Sequence, residues 1–182
     1  MLSQKMNDAL NEQINREMYS AYLYMSMSNQ CTEAGLKGFA NWFMVQYHEE
    51  MYHAMKFYEY VGRQGGKITL KAIAEPAADF ASPLDMMTKT LEHERYITQS
   101  INNLMDTAIA EKDHATQIFL QWYVTEQVEE EENDNDIIAQ LKLIKDSPHG
   151  LMMIDRDLGA RVANVPTDFS KGVEAAAKAS AD

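Results

Sequence analysis

Apolar residues recur along most of this chain at alternating steps of four and three, the spacing of helices that each bury a single seam. Between about residues 4 and 32 the seam reads Leu10, Ile14, Glu17, Ala21, Tyr24, Ser28 and Cys31. A second seam runs through Phe39, Phe43, Gln46, Glu50, His53, Phe57 and Val61, and its helix ends near Arg63, before Gly65-Gly66. Gly35 and Gly38 break or bend the chain between the two. Ser82 and Pro83 restart a helix as N-cap and first helical residue, with Met87, Leu91, Glu94, Thr98, Ile101, Met105 and Ala108 in line. After a turn capped by Asp113, a fourth helix on the order of 50 Å long reaches about Lys145. Its seam is Leu120, Tyr123, Gln127, Glu130, Asp134, Ile137, Leu141 and Ile144. Asp146-Ser147-Pro148 ends that helix and caps a short fifth one, striped by Leu151, Ile154, Leu158 and Val162.

Residues 65–82 lack a helical period. Gly65 to Leu70 suits a short extended piece, and the whole connection is long enough to cross a bundle from end to end. The pattern predicts an all-α fold: a four-helix up-down bundle with one long crossover and a short C-terminal fifth helix. It forms one domain over residues 1–163, followed by an Ala-rich tail, residues 164–182, expected to be mobile or partly helical.

Each long helix places polar residues in its own apolar seam: Glu17; Glu50 with His53; Glu94; and Gln127 with Glu130. Each lies near mid-helix, so the four sets meet at one level. A buried charge needs a partner. A salt-bridge network would need cations, and the seams supply no Lys or Arg at that level. A metal ion is the partner that carboxylate and imidazole can share. Mostly Glu with one His suits iron or manganese better than zinc. So many carboxylates suit two metals, with Glu50 as the bridge. His53 and Glu17 complete one position, Glu94 and Glu130 hold the other, and Gln127 is a neutral neighbour. Few nitrogen ligands leave room for dioxygen or water, which points to redox chemistry with oxygen.

Glu49, Glu126 and Glu129 sit one position off the seams, where they adjoin the centre and suit a third ion. The run Glu132-Asn133-Asp134-Asn135-Asp136 forms helices poorly, and as an acidic strip it would carry ions between the centre and stored product. Tyr24, two turns from Glu17, orders a ligand or supplies an electron. Trp122 and Met51 are read as packing, and His48, His93, His114 and His149 as surface groups.

The formal net charge of −12 excludes nucleic acid as a natural partner and disfavours anionic membrane surfaces. No run approaches the roughly 20 apolar residues that cross a bilayer. One cysteine, Cys31, forms no intrachain disulfide and no Cys-based cluster. With no apolar h-region after Met1, a cytoplasmic protein is expected.

Three segments resemble prokaryotic non-haem ferritins, and the resemblance covers residues 3–160: Leu10 to Asn15 with Glu17 and Tyr19-Ser20; Glu49-Glu50-Met51-Tyr52-His53; and Phe119 to Glu131. It implies a ferroxidase centre with Glu17, Glu50 and His53 at the first iron, Glu50 and Glu94 at the second, and Gln127 and Glu130 close by. Glu49, Glu126, Glu129 and Glu130 match a third iron site. It also implies a homo-oligomeric cage of twenty-four subunits with mineral inside and the fifth helix near the four-fold axis. Fe(II) and dioxygen or peroxide are the reactants. Bacterioferritins repeat Glu-x-x-His on the last long helix; Glu126 to Glu130 here contains no His, which argues against haem. The acidic three-fold channel of animal ferritins is replaced by Thr116, Gln117 and Leu120. The rival reading is a stand-alone di-iron oxidase or peroxidase without mineral storage.

Overall fold

The computed structural model describes residues 2–173, and the remainder of the tail lies outside the described residues. Among the described residues five helices follow in order: α1 (Gln4–Glu33), α2 (Lys37–Arg63), α3 (Pro83–Ala110), α4 (His114–Ile144) and α5 (Pro148–Leu158). Their starts are capped by short side chains. Ser3, Ser82, Asp113 and Ser147 each accept a hydrogen bond from the backbone N–H three residues on. Gly35 (φ 78°) and Gly65 (φ 71°) take the left-handed conformation just past α1 and α2, where a side chain would be strained. No strand is present among the described residues, so the extended piece expected at Gly65 to Leu70 is irregular chain.

Gly38, expected to break or bend the chain, lies inside the first turn of α2. A Cβ there would fall 1.5 Å from the backbone oxygen of Asp155, so its bareness lets α5 close onto α2. Asp155 Oδ1 in turn accepts from the N–H groups of Gly38 and Phe39, at 2.8 and 3.0 Å, and caps α2 from another helix. Val162 does not extend the α5 stripe: the helix stops at Leu158 and Val162 is exposed.

The crossover runs alongside α1, held by a polar ladder on that helix. Asn7 and Asn11 donate to the oxygen of Lys67 at 3.1 and 2.9 Å, and Asn11 accepts from Thr69 N. Asn15 holds Ala72, Ser26 holds Ala77, and Gln30 pairs with both backbone groups of Phe80. The crossover thus climbs from the start of α1 to its end. α1 and α4 therefore point one way, α2 and α3 the other. The seams pack into two apolar clusters. One holds Met6, Leu10, Phe57, Val61, Ile101 and Leu120; the other holds Met27, Phe39, Phe43, Met87, Ile137 and Leu141. The seam acids and His53 lie between them.

Asn11 is buried and joins two crossover groups, so Asn11→Ala leaves Thr69 N without its partner and Lys67 O with Asn7 alone. It should cost about 1–3 kcal/mol in chemical denaturation and speed amide exchange at Thr69. Unaltered exchange at Thr69 would show that the ladder does not hold the crossover.

Candidate metal centre

Glu17, Glu50, His53, Glu94 and Glu130 are each at most 4% exposed. The helical period explains the placement. Glu50 and His53, three residues apart, share one face of α2, and α1, α3 and α4 bring their acids to the same level. The ligand atoms of Glu17, Glu50 and His53 lie within 4.8 Å of one another. Glu50 Oε2 is 3.5 Å from His53 Nδ1. Glu17 Oε2, Glu50 Oε2 and His53 Nε2 have no hydrogen-bond partner. Orphaned acceptors of this hardness, carboxylate with one imidazole, fit a divalent iron-type cation.

Glu94 and Glu130 are held beside this knot by neutral donors. Tyr24 donates its hydroxyl to Glu94 Oε1, and Gln127 Nε2 donates to Glu94 Oε2 at 3.1 Å. Gln46 Nε2 donates to Glu130 Oε2 at 2.9 Å, and Gln13 Nε2 to Glu17 Oε1 at 2.8 Å. The nearby cation Arg16 bonds Ser100 and Gln13 rather than a carboxylate. Amides fix the ligands without neutralising them. Gln13 and Gln46 were not singled out as site residues in the sequence, although each lies one turn before a ligand, at the i and i+4 spacing of Gln13 and Glu17, and of Gln46 and Glu50.

Burial pushes the carboxyl groups upward. Glu17 rises to about 7 by desolvation, tempered by the Gln13 bond. Glu94 rises to about 8 by desolvation and by the charge of Glu130. Glu50 lies well above its ordinary value through burial and the charges of Glu94, Glu17 and Glu130. His53 is lowered to about 3 by burial and by Lys56, so its imidazole is neutral and free to ligate.

On one side the layer opens to a cavity of about 690 Å³ lined by Glu49, Glu126, Glu129, Glu130, Tyr52 and Arg161. The four acids assigned to a third ion therefore do border one space. Arg161, just after α5, already reaches Glu49 Oε2 at 2.7 Å and lies over the Trp42 ring. No periodicity signals it, because it follows the last helix. The first half of the tail also packs here: Phe169 stacks on Tyr52, and Val173 N donates to Glu59.

Two further readings change, those of His93 and of the acidic run. His93 is not a surface group. It is half-buried, shares a hydrogen bond with Ser20 at 2.7 Å, touches Tyr19, Tyr24 and Tyr96, and is lowered to about 4 by burial. Trp122 packs against the His53 ring at 5.2 Å and carries Lys56 over its own face. The acidic run is not one strip: Asp134 is buried, whereas Glu132 and Asp136 are exposed. Of the three residues standing where animal ferritins have acidic channel residues, Thr116 and Leu120 are buried within the subunit.

A helical bundle with acids and histidine converging at mid-height belongs to the ferritin-like class of carboxylate-rich metal proteins. Residues 7–144 match the family model for the ferritin-like domain. A bacterial non-heme ferritin of Campylobacter jejuni is 42% identical over 156 residues, spanning 86% of this chain and 93% of that protein. One from Staphylococcus aureus is 38% identical over 161 residues, 88% of this chain and 97% of that protein. The open pore ferritin of Archaeoglobus fulgidus superposes with a TM-score of 0.88 at 47% identity, covering 89% of this chain and all of that one. The chain belongs to the ferritin family. Its function is that of an iron-storage ferritin, with the ferroxidase activity typical of the family.

Carboxyls raised on folding hold protons that the unfolded chain has released, so their contribution is full below about 4.5 and is lost as pH rises through about 7 to 8. His53 acts oppositely, losing stability as pH falls from 6.5 towards about 3. Above pH 6.5 the carboxyls act alone. The melting temperature of chelator-stripped protein should fall between pH 6.5 and pH 8, and added divalent cation should flatten the fall. A flat profile in chelator would refute the assignment of protons to this layer.

Proposed function

We propose that Glu17, Glu50, His53, Glu94 and Glu130 form a two-iron ferroxidase centre. The observation that carries this reading is the convergence of Glu17, Glu50 and His53 within 4.8 Å, with unpartnered ligand atoms, between two apolar clusters. Fe(II) is the substrate. Glu50 bridges, Glu17 and neutral His53 hold the first ion, and Glu94 with Glu130 holds the second, Gln127 standing beside it. Each Fe(II) yields one electron; dioxygen accepts two and, with two protons, leaves as hydrogen peroxide, which can itself oxidise a further pair of Fe(II) ions. Carboxylates favour Fe(III) because its higher charge is better stabilised by anionic oxygen. The protons displaced from Glu17, Glu50 and Glu94 on cation binding are available within the layer. Tyr24 fixes Glu94 and is the aromatic group placed to supply an electron.

The oxidised iron is stored as ferric oxyhydroxide inside a homo-oligomeric cage, for which twenty-four subunits is the count this reading carries. A cytoplasmic location goes with it, since Cys31 is a single buried thiol suited to a reducing compartment. Glu49, Glu126, Glu129 and Glu130 take a third ion on its way to storage.

Glu50→Ala should reduce Fe(II)-dependent oxygen consumption more than about tenfold, as loss of even a ligand-supporting group does at metal sites. After Fe(II) loading in air, the wild type should be a discrete large shell with an electron-dense core; a dimer without a core would favour the stand-alone oxidase. At the third position the ion competes with the Arg161 guanidinium for Glu49. Arg161→Gln should therefore tighten one class of cation site several-fold in calorimetric titration, and an unaltered isotherm would show that Arg161 does not compete.

A further inference from the structure

Asp134 is the one seam acid that the two-iron reading leaves without a task. It lies on α4 four residues beyond Glu130, on the α5 side of the centre, where the seam continues as Ile137 and Leu141. It is 0% exposed, and neither carboxylate oxygen has a hydrogen-bond partner. Such a group is costly in an apolar bundle. A structural carboxylate in this position would be expected to keep an amide or hydroxyl donor, as Glu17, Glu94 and Glu130 do.

The surroundings show what it lacks. Residues four apart on a helix face lie about 5–6 Å apart at Cβ, which sets Asp134 beside Glu130. Glu94 and Glu130 are the charges that act on it most strongly, and Asp134 acts on the Tyr24 hydroxyl that Glu94 binds. Gln46 donates its nitrogen to Glu130 while its own oxygen, Oε1, also goes without a partner. Gln46 and Asp134 both neighbour Glu130, and between them they hold three unpartnered oxygens. Arg161 is the cation whose charge acts on Asp134; its Nη2 is bonded to Glu49, and neither its Nη1 nor either oxygen of Asp134 has a hydrogen-bond partner. Burial, with Glu94 and Glu130, raises the Asp134 carboxyl to about 9.

We propose that Asp134, with Glu94, Glu130 and the Gln46 amide oxygen, forms an additional cation position adjoining the two-iron centre. The inference rests on the ferritin reading and extends it. All its donors are oxygen, so it takes hard cations such as Fe(II), Fe(III) or Mn(II) and discriminates against zinc, which favours nitrogen and sulfur. It shares Glu94 and Glu130 with the second iron position, which makes it a transfer position for an ion moving along α4. Its oxygens do not converge as tightly as the ligand atoms of Glu17, Glu50 and His53, so its affinity is weaker than theirs.

The test is anaerobic Mn(II) titration of the assembled, chelator-stripped protein, followed by calorimetry and by the electron spin resonance signal of free Mn(II). Wild type, Asp134→Asn and Asp134→Ser are compared; the first keeps the shape of the side chain, the second leaves room for water, and circular dichroism with assembly size identifies any variant that fails to fold. Loss of one Mn(II) per subunit, or tenfold weaker binding of one class of site, with the tight class unchanged, supports the position. Equal stoichiometry and affinity in wild type and a folded variant overturns it and makes Asp134 a buried neutral acid. If the wild type itself binds no Mn(II), and Glu50→Ala is indistinguishable from it, the reading of the centre fails and this inference with it.

Discussion

Burying carboxylates together is the constraint from which this structure takes its form. Glu17, Glu50, Glu94, Glu130 and Asp134 share one layer of a helical bundle, and no Lys or Arg in the described residues enters it to pair with them. Apolar packing above and below must offset that cost, and the two clusters supply it with Phe, Leu, Ile and Met from all four long helices. The bundle is therefore built as two cores with a charged stratum between them.

The neutral donors decide what that stratum can do. Had Arg or Lys satisfied the acids, the layer would be a closed salt-bridge network. Gln13, Gln46, Gln127 and Tyr24 instead fix one oxygen of a carboxylate at a time and leave its charge intact. Orientation and charge are thus supplied by different residues. A cation entering the layer meets ligands already positioned and replaces protons rather than another positive side chain, which is what reversible loading of iron requires.

Outward from this layer the same chemistry becomes more accessible. Glu49, Glu126 and Glu129 border an open cavity, and Arg161 crosses it from the segment after α5. The acids of the core are governed by desolvation, whereas Glu49 also responds to a directly bonded counter-charge within the same chain. Burial raises it to about 7 while Arg161 pulls it down. An ion between core and cavity therefore moves from sites competing with protons to a site competing with a guanidinium.

Much of this was written in the sequence because helix periodicity is a local property. Every seam residue named on α1 and α2 is buried, and on α4 the seam from Leu120 to Leu141, acids included, points inward. The caps at Ser82, Asp113 and Ser147 are local too. What the sequence could not decide depends on chain segments far apart. His93 is half-buried because α1 and α3 close over it, although it lies off the seam. Gly38 is a docking point for α5, and the asparagines of α1 are a track for the crossover, because each meets backbone that is distant along the chain. Asp134 shows the division most clearly. Its inward position follows from the spacing of four, but its lack of any partner emerges only once the other three helices are packed against it. Periodicity fixes which way a side chain points; tertiary packing determines what it finds there.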